Sequence, residues 1–378
     1  LLSMVARPPA SKRAARVMAP DDLPVARDAR LDTVRGALLV IMTIDHLAPL
    51  WITRYSSESL GFVSAMEGFF VLFGVAYALA YRRVLHTPAL AWSKSLRRAL
   101  TVYGYHLATL ALAFGIACVG LLQGPAWLAR AADVQQFGPS LALWAAMLIY
   151  RPQFFDVLPA YVLLLLPAPV LLRWLCRPGA SAWVLLGSAA GWLLGQWFNP
   201  WEQLARAVSP IQWVWPNLLT WQAPFVIGLF CATREPAGPW LAAVNSRPVR
   251  LLCLAIVGVC FALKHELITL SPSLLPLFDK GNLGPARLLN LVALVLLGGW
   301  WMGRFAPASK VTWLAFLGRH SLEVFSFHIL LSYALMPLFA APLATPVTLV
   351  LLAAALAALS LPAWLHAGYQ RRGRQRTA

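Results

Sequence analysis

The sequence predicts an all-α fold: a polytopic bundle of about ten transmembrane helices with both termini in the cytoplasm. Three observations predict it. Hydrophobic residues make up 60% of the 378 residues and charged residues only 12%, about half the charge that covers a soluble domain. The apolar residues fall into ten runs near the ~20 residues that cross a bilayer as a helix. Lysine and arginine then alternate in density from one connection to the next. Too little charge is present to face water all round, so lipid is the outer solvent.

The runs lie near 31–52, 60–81, 99–122, 155–174, 181–198, 214–233, 249–270, 287–304, 317–339 and 343–367. They bound a membrane region over 31–367, with a basic arm at 1–30 and a basic tail at 368–378. The arm has no apolar stretch of its own, so the first run is expected to insert as an anchor. The fifth run is short and contains glycine. Between the third and fourth runs, Ala142 to Tyr150 is too short to span and is expected at the interface. Many of the 17 tryptophans stand near run ends, as an aromatic belt does.

Sidedness follows from the cations. With the N-terminus inside, the inner connections hold 23 of the 31 lysines and arginines and the outer ones hold seven. Arg35 lies within the first run. This is the positive-inside pattern, and it requires an even number of spans. It also accounts for the net charge of +17 without a nucleic-acid partner. The five cysteines (Cys118, Cys176, Cys231, Cys253 and Cys260) sit in or beside apolar runs and form no CxxC pair. They read as packing residues, not as a disulfide or zinc framework.

Polar groups inside spans are costly and mark function. The first run carries Asp32, Arg35, Asp45 and His46. Arg35 and His46 are eleven residues apart, three turns plus ~20°, so both lie on one helix face with ~16 Å between them. That face offers a cation near the cytoplasmic edge, with Asp32 beside it, and an imidazole deep in the bilayer. It suits an anionic substrate whose reactive end reaches His46. The alternative is that Arg35 snorkels to the headgroups and His46 packs on a neighbour. Asp45 orients His46 only if the helix end is irregular, because adjacent residues point ~100° apart. Otherwise it serves another element.

Glu67, among the phenylalanines of the second run, has two open readings. It holds a substrate hydroxyl or His46, or it pairs with an arginine of another helix. In the ninth run Arg319 and Glu323 stand at i, i+4, which predicts a local ion pair. His328 lies deeper, either as a core histidine or as part of the site. On the outer side Asp156, Asn199, Trp213, Trp215, Trp221 and Gln222 suit sugar rings or anchor the interface. His86, His106, His265 and His366 read as structural. No GxSxG, HExxH, P-loop or GxGxxG is present, so no metal is expected.

Taken in order, these motifs resemble a known family. Leu31 to His46, an Arg followed by ten residues and a His, is similar to the first-helix signature of the integral-membrane acyltransferase superfamily, family three. Leu317 to His328 resembles its late LGxxSLxxFxxH helix. Asp45-His46 followed by Gly61-Phe62 and Glu67 is closer to the OpgC-type branch. So are Phe155-Asp156-Val157-Leu158-Pro159, and Phe198-Asn199-Pro200 with Trp221-Gln222. The chain departs at Phe73-Gly74, where many members have Ser before the Gly.

The resemblance implies an acyltransferase domain over 31–367 in the inner membrane of a Gram-negative bacterium. Succinyl-CoA from the cytoplasm would be the co-substrate, with no permanently bound cofactor, and an osmoregulated periplasmic glucan the acceptor. By the same resemblance Arg35 and His46 are the essential pair, Glu67 is the branch's second-helix carboxylate, and His328 is its late-helix histidine. His46, Asp45 and Glu67 are then the catalytic candidates, and Arg35 and Asp32 the donor-binding ones. His328, Glu323, Asp156, Asn199 and Trp221 stand as supporting or acceptor-side residues. Two rivals stay open: acetylation of another envelope glycan, and a transporter for an anion or saccharide. Intramembrane Arg, His and Glu also mark transport routes, although no internal repeat of the kind common in transporters is visible.

Overall fold

The computed structural model of the chain describes residues 28–56, 58–120, 122, 124–208, 216–234, 239–305 and 312–377. The basic arm before residue 28, Lys310, Trp213 and Trp215 lie outside these residues. The described residues are helical, with no strand among them. The first group of helices is α1 (Ala29–Leu47), α2 (Leu50–Thr53), α3 (Ala65–Tyr81), α4 (Pro88–Val119), α5 (Pro125–Phe137) and α6 (Pro139–Ala146). Next come α7 (Val157–Leu165), α8 (Ala168–Leu175), α9 (Ser181–Leu194), α10 (Pro200–Val208), α11 (Leu218–Thr233) and α12 (Pro239–Val244). The last are α13 (Arg247–Lys264), α14 (Pro285–Phe305), α15 (Trp313–Arg319), α16 (Ser321–Phe339), α17 (Thr345–Ala358) and α18 (Ser360–Thr377).

Five helices are long and apolar enough to cross a membrane, or six if the bent pair α7 and α8 is one span. The five are Ala65–Val84, α4, α14, α16 and Thr345–Arg372. The protein is membrane-embedded. Several of the ten expected runs differ from a plain span, for identifiable reasons. The fourth bends by 60° between α7 and α8, at Leu166-Pro167, where proline removes a backbone donor. The fifth and sixth yield helices of only 14 and 16 residues. Charge sets two others apart: α1 carries Arg30, Asp32, Arg35 and Asp45, and α13 carries Arg247, Arg250 and Lys264.

At the centre, α1 lies against α15 and α3 against α11, and glycines set both distances. A Cβ on Gly36 would fall 1.9 Å from the Leu314 carbonyl oxygen, and one on Gly318 would fall 1.8 Å from that of Asp32. In the second pair, a Cβ on Gly74 would fall 2.1 Å from the Phe225 carbonyl oxygen, and one on Gly228 would fall 2.0 Å from that of Val71. Such reciprocal small residues let helix backbones touch in a membrane bundle. Close packing at Phe73-Gly74 thus survives the departure from the family pattern, and Phe73 stacks on Tyr161 at 4.1 Å.

Within Ala142 to Tyr150, expected at the interface, Ala145, Leu148, Ile149 and Tyr150 are instead buried, as are Trp127 and Leu141 before them. The segment folds into the bundle because it carries enough apolar side chains to cover α4 and α16, and its last residues close a cavity beside α1.

Candidate active site

Helix α1 delivers the first imidazole. Asp28 caps its N-terminus, accepting from the Arg30 amide at 2.9 Å. The helix stops at Ala48 because Pro49 follows and disfavours helical backbone before it. His46 is therefore in the last turn of a regular helix. Its Nδ1 is 3.0 Å from Nε2 of His328, which α16 brings across 282 residues of sequence.

The proton positions follow from the partners. Nδ1 of His328 lies 2.9 Å from the Phe325 carbonyl oxygen. A carbonyl only accepts, so that nitrogen carries the proton and Nε2 of His328 is bare. Nδ1–H of His46 then donates to it. Nε2 of His46 keeps its lone pair, on the side of the ring away from His328. One buried backbone carbonyl thus fixes both tautomers, the condition a general base requires.

Phe154 stacks on His46 with centroids 3.8 Å apart and planes 16° from parallel. Its φ of +71° is left-handed, a conformation that costs a bulky residue about 1–3 kcal/mol. Two hydrogen bonds hold that turn. The Phe155 amide donates to the Pro152 carbonyl at 2.9 Å, and the Tyr333 hydroxyl of α16 donates to the Gln153 carbonyl at 2.8 Å.

Two cavities meet beside this ring. One, of about 470 Å³, is lined by His46, Asp45, Arg151, Phe154, Asp156 and Lys280 among others. The second, of about 400 Å³, is lined by Arg35, Arg98, Arg319, Tyr81, Phe73 and Tyr161 among others. Val157 and Phe325 line both. The single face of α1 carrying Arg35 and His46 therefore serves two chambers with a common apolar wall.

The remaining candidates divide. Asp32 is buried and ion-paired with Arg35 at 3.2 Å and Arg319 at 3.7 Å. The expected pair between Arg319 and Glu323 does not form. Helix α15 ends at Arg319 and α16 starts at Ser321, with His320 at φ −110° and ψ 33° between them, so the i, i+4 register is lost. Glu323 instead accepts from the Tyr105 hydroxyl at 3.0 Å and faces Nδ1 of His366 at 2.9 Å. Asp45 lines the His46 cavity but accepts from the Ser56 hydroxyl. The imidazole is held by His328 in its place.

Glu67 takes the second of its two readings. It forms a capping box with Ser64 at the start of α3 and a buried ion pair with Arg287 of α14. Arg287 also reaches Glu58 at 2.9 Å, and Glu58 reaches Lys264 at 2.7 Å. Burial pushes the Glu58 carboxyl up, but its cations win and hold it below the ordinary carboxylate range. Trp221 is fully buried and donates to the Gly281 carbonyl at 3.0 Å. The Asn199 side chain accepts from the Glu202 amide at 3.3 Å in the first turn of α10. Neither Trp221 nor Asn199 lines either cavity.

Three residues at the His46 cavity escape sequence reading: Arg151, Phe154 and Lys280. A left-handed φ and a ring stack leave no mark in composition. His366, read as structural, joins His320 and Glu323 in a group able to hold a metal ion, with ligand atoms within 4.8 Å of one another.

The fold and the site together define a helical membrane protein with a tautomer-fixed histidine pair, one member of which lines one of two cavities that share a wall. The family model described as OpgC protein matches residues 27–371, and the chain belongs to that family. Membership implies a glucan-modifying acyltransferase. Comparison with curated proteins and with solved structures gave no match.

Proposed function

We propose that this protein moves a succinyl group from cytoplasmic succinyl-CoA to a glucose hydroxyl of osmoregulated periplasmic glucans. In this reading it sits in a Gram-negative inner membrane, with about ten spans and both termini inside. The observation that carries the reading is the pair of cavities with the shared wall of Val157 and Phe325. Arg98 and Arg319, both counted as inside from sequence, line one together with Arg35, which was read at the cytoplasmic edge of the first run. Arg151 and Lys280, both counted as outside, line the other with His46. Among the described residues, Glu58 likewise gathers outside cations, Lys264, Lys280 and Arg287.

The chemistry follows from the free nitrogen. Phosphates of the donor bind the arginine-lined chamber, and the thioester reaches the wall between the chambers. Nε2 of His46 takes the proton from the acceptor hydroxyl as its oxygen attacks the thioester carbonyl. The C–O bond forms, the C–S bond breaks, and the imidazolium returns the proton to the departing thiolate. The Nδ1–H bond to neutral His328 spreads the positive charge that develops on His46.

Deleting the gene and restoring it as wild type or His46→Ala tests this. Periplasmic glucans are weighed by mass spectrometry. Succinyl mass increments should vanish in the deletion and return only with the wild type. Unchanged glucans in the deletion would sink the reading.

A further inference from the structure

Arg151 is a buried charge with no close ion pair at the wall of the His46 cavity. It is only 4% exposed, yet its Nε and Nη1 have no hydrogen-bond partner. It forms no ion pair with any described residue, and its guanidinium carbon lies over the Trp201 ring, 5.4 Å from the centroid. Burial pulls its pKa down to about 10, against the opposing field of Asp156, so it stays cationic at neutral pH. A buried guanidinium with two unmet donors and no close ion pair is costly. A ligand carboxylate in the cavity that Arg151 lines would supply the close anion that Asp156 does not.

The ligand chemistry can be narrowed. Arg151 and Lys280 line the same cavity as His46, whereas Arg35, Arg98 and Arg319 line the other. The donor's phosphates have their own arginines, and a neutral hydroxyl acceptor needs no cation. Asp45 and Asp156 also line the His46 cavity. Asp45 is engaged by Ser56. Asp156 makes no ion pair with Arg151 among the described residues.

We infer that Arg151, assisted by Lys280, is the subsite for a carboxylate on the transferred acyl group, and so selects dicarboxylic acyl donors over plain fatty ones. The inference rests on the acyl-transfer reading. The far carboxylate would dock at Arg151 while the thioester carbonyl lies within reach of the hydroxyl that His46 deprotonates. No bond to Arg151 forms or breaks.

The test uses purified full-length protein with succinyl-CoA and butyryl-CoA, which differ only by carboxylate against methyl at the far end. Acyl transfer to glucan is read by mass. The wild type should favour succinyl-CoA by about 100-fold in kcat/KM, as sites built to bond a polar group do against analogues that lack it. Arg151→Met should bring the ratio near unity, and Arg151→Lys should lower it about tenfold, since a point charge replaces the planar fork. An unchanged ratio in Arg151→Met overturns the inference, as does a wild-type ratio near unity. If Arg151→Met is inactive with both donors, Arg151→Lys decides: a wild-type ratio overturns the inference and a lowered one supports it. Transfer of no acyl group by the wild type instead overturns the acyl-transfer reading itself.

Discussion

Two histidine pairs, one on α16 and one at its N-cap, reach other helices, with nearly the same spacing and different chemistry. His46 and His328 have ring nitrogens 3.0 Å apart; His320 and His366 have theirs 3.1 Å apart. In the first pair the Phe325 carbonyl fixes one proton, that proton fixes the next, and an uncommitted nitrogen is left beside a cavity. In the second, Nδ1 of His366 faces both Nδ1 of His320 and a Glu323 oxygen, and Gln370 meets its Nε2 at 3.1 Å. Neither ring of the second pair lines either of the two cavities. Proximity of two imidazoles does not make a base. A fixed tautomer with a lone pair facing an open volume does.

The comparison can be broken or sharpened by substitution. His46→Ala should lower acyl transfer about 1,000-fold, within the range for loss of a positioned base, with the detergent-solubilised protein still folded by its melting profile. Transfer near the wild-type rate would show that His46 is not the base. His328→Ala should cost about 100-fold, because the His46 tautomer is released. His328→Gln can place an acceptor oxygen near the position of Nε2, and it should recover about tenfold of that loss. Equal rates in the two variants would mean that His328 only fills space.

Phe154→Ala removes the ring stacked on His46 and also a residue held at positive φ. Its effect should be about tenfold on kcat, with the melting temperature moving little because relief of backbone strain offsets lost packing. A change confined to KM would contradict a positioning role. The smallest effect belongs to the second pair. His366→Ala should alter transfer by less than about threefold and lower stability by about 1 kcal/mol through the lost contact to Glu323. A hundredfold loss of transfer there would erase the distinction between the pairs.

The reach of sequence is clearest at particular residues. The interval from Arg35 to His46 was legible because it lies within one helix, and helical geometry turns spacing into a shared face. The same logic failed for Arg319 and Glu323, since a break at His320 separates them and no strong signal marks it. Glu67 left two readings open from sequence because its partner, Arg287, lies 220 residues away. His328 was legible as a deep histidine with its role open, and the family's late-helix motif pointed to one. Phe154 and Arg151 gave no site signal: Arg151 read only as an outer-side cation, and Phe154 only as a neighbour of Asp156.

The sequence by itself determined the solvent, the helical class, the clustering of cations and the face that Arg35 and His46 share. These are local or additive properties, set by hydropathy, charge and a fixed helical pitch. The tertiary structure alone decided which nitrogen of His46 is free, that the shared face serves two cavities, and that a buried arginine lines the same cavity as His46. Each depends on contacts between distant segments, which no local pattern encodes.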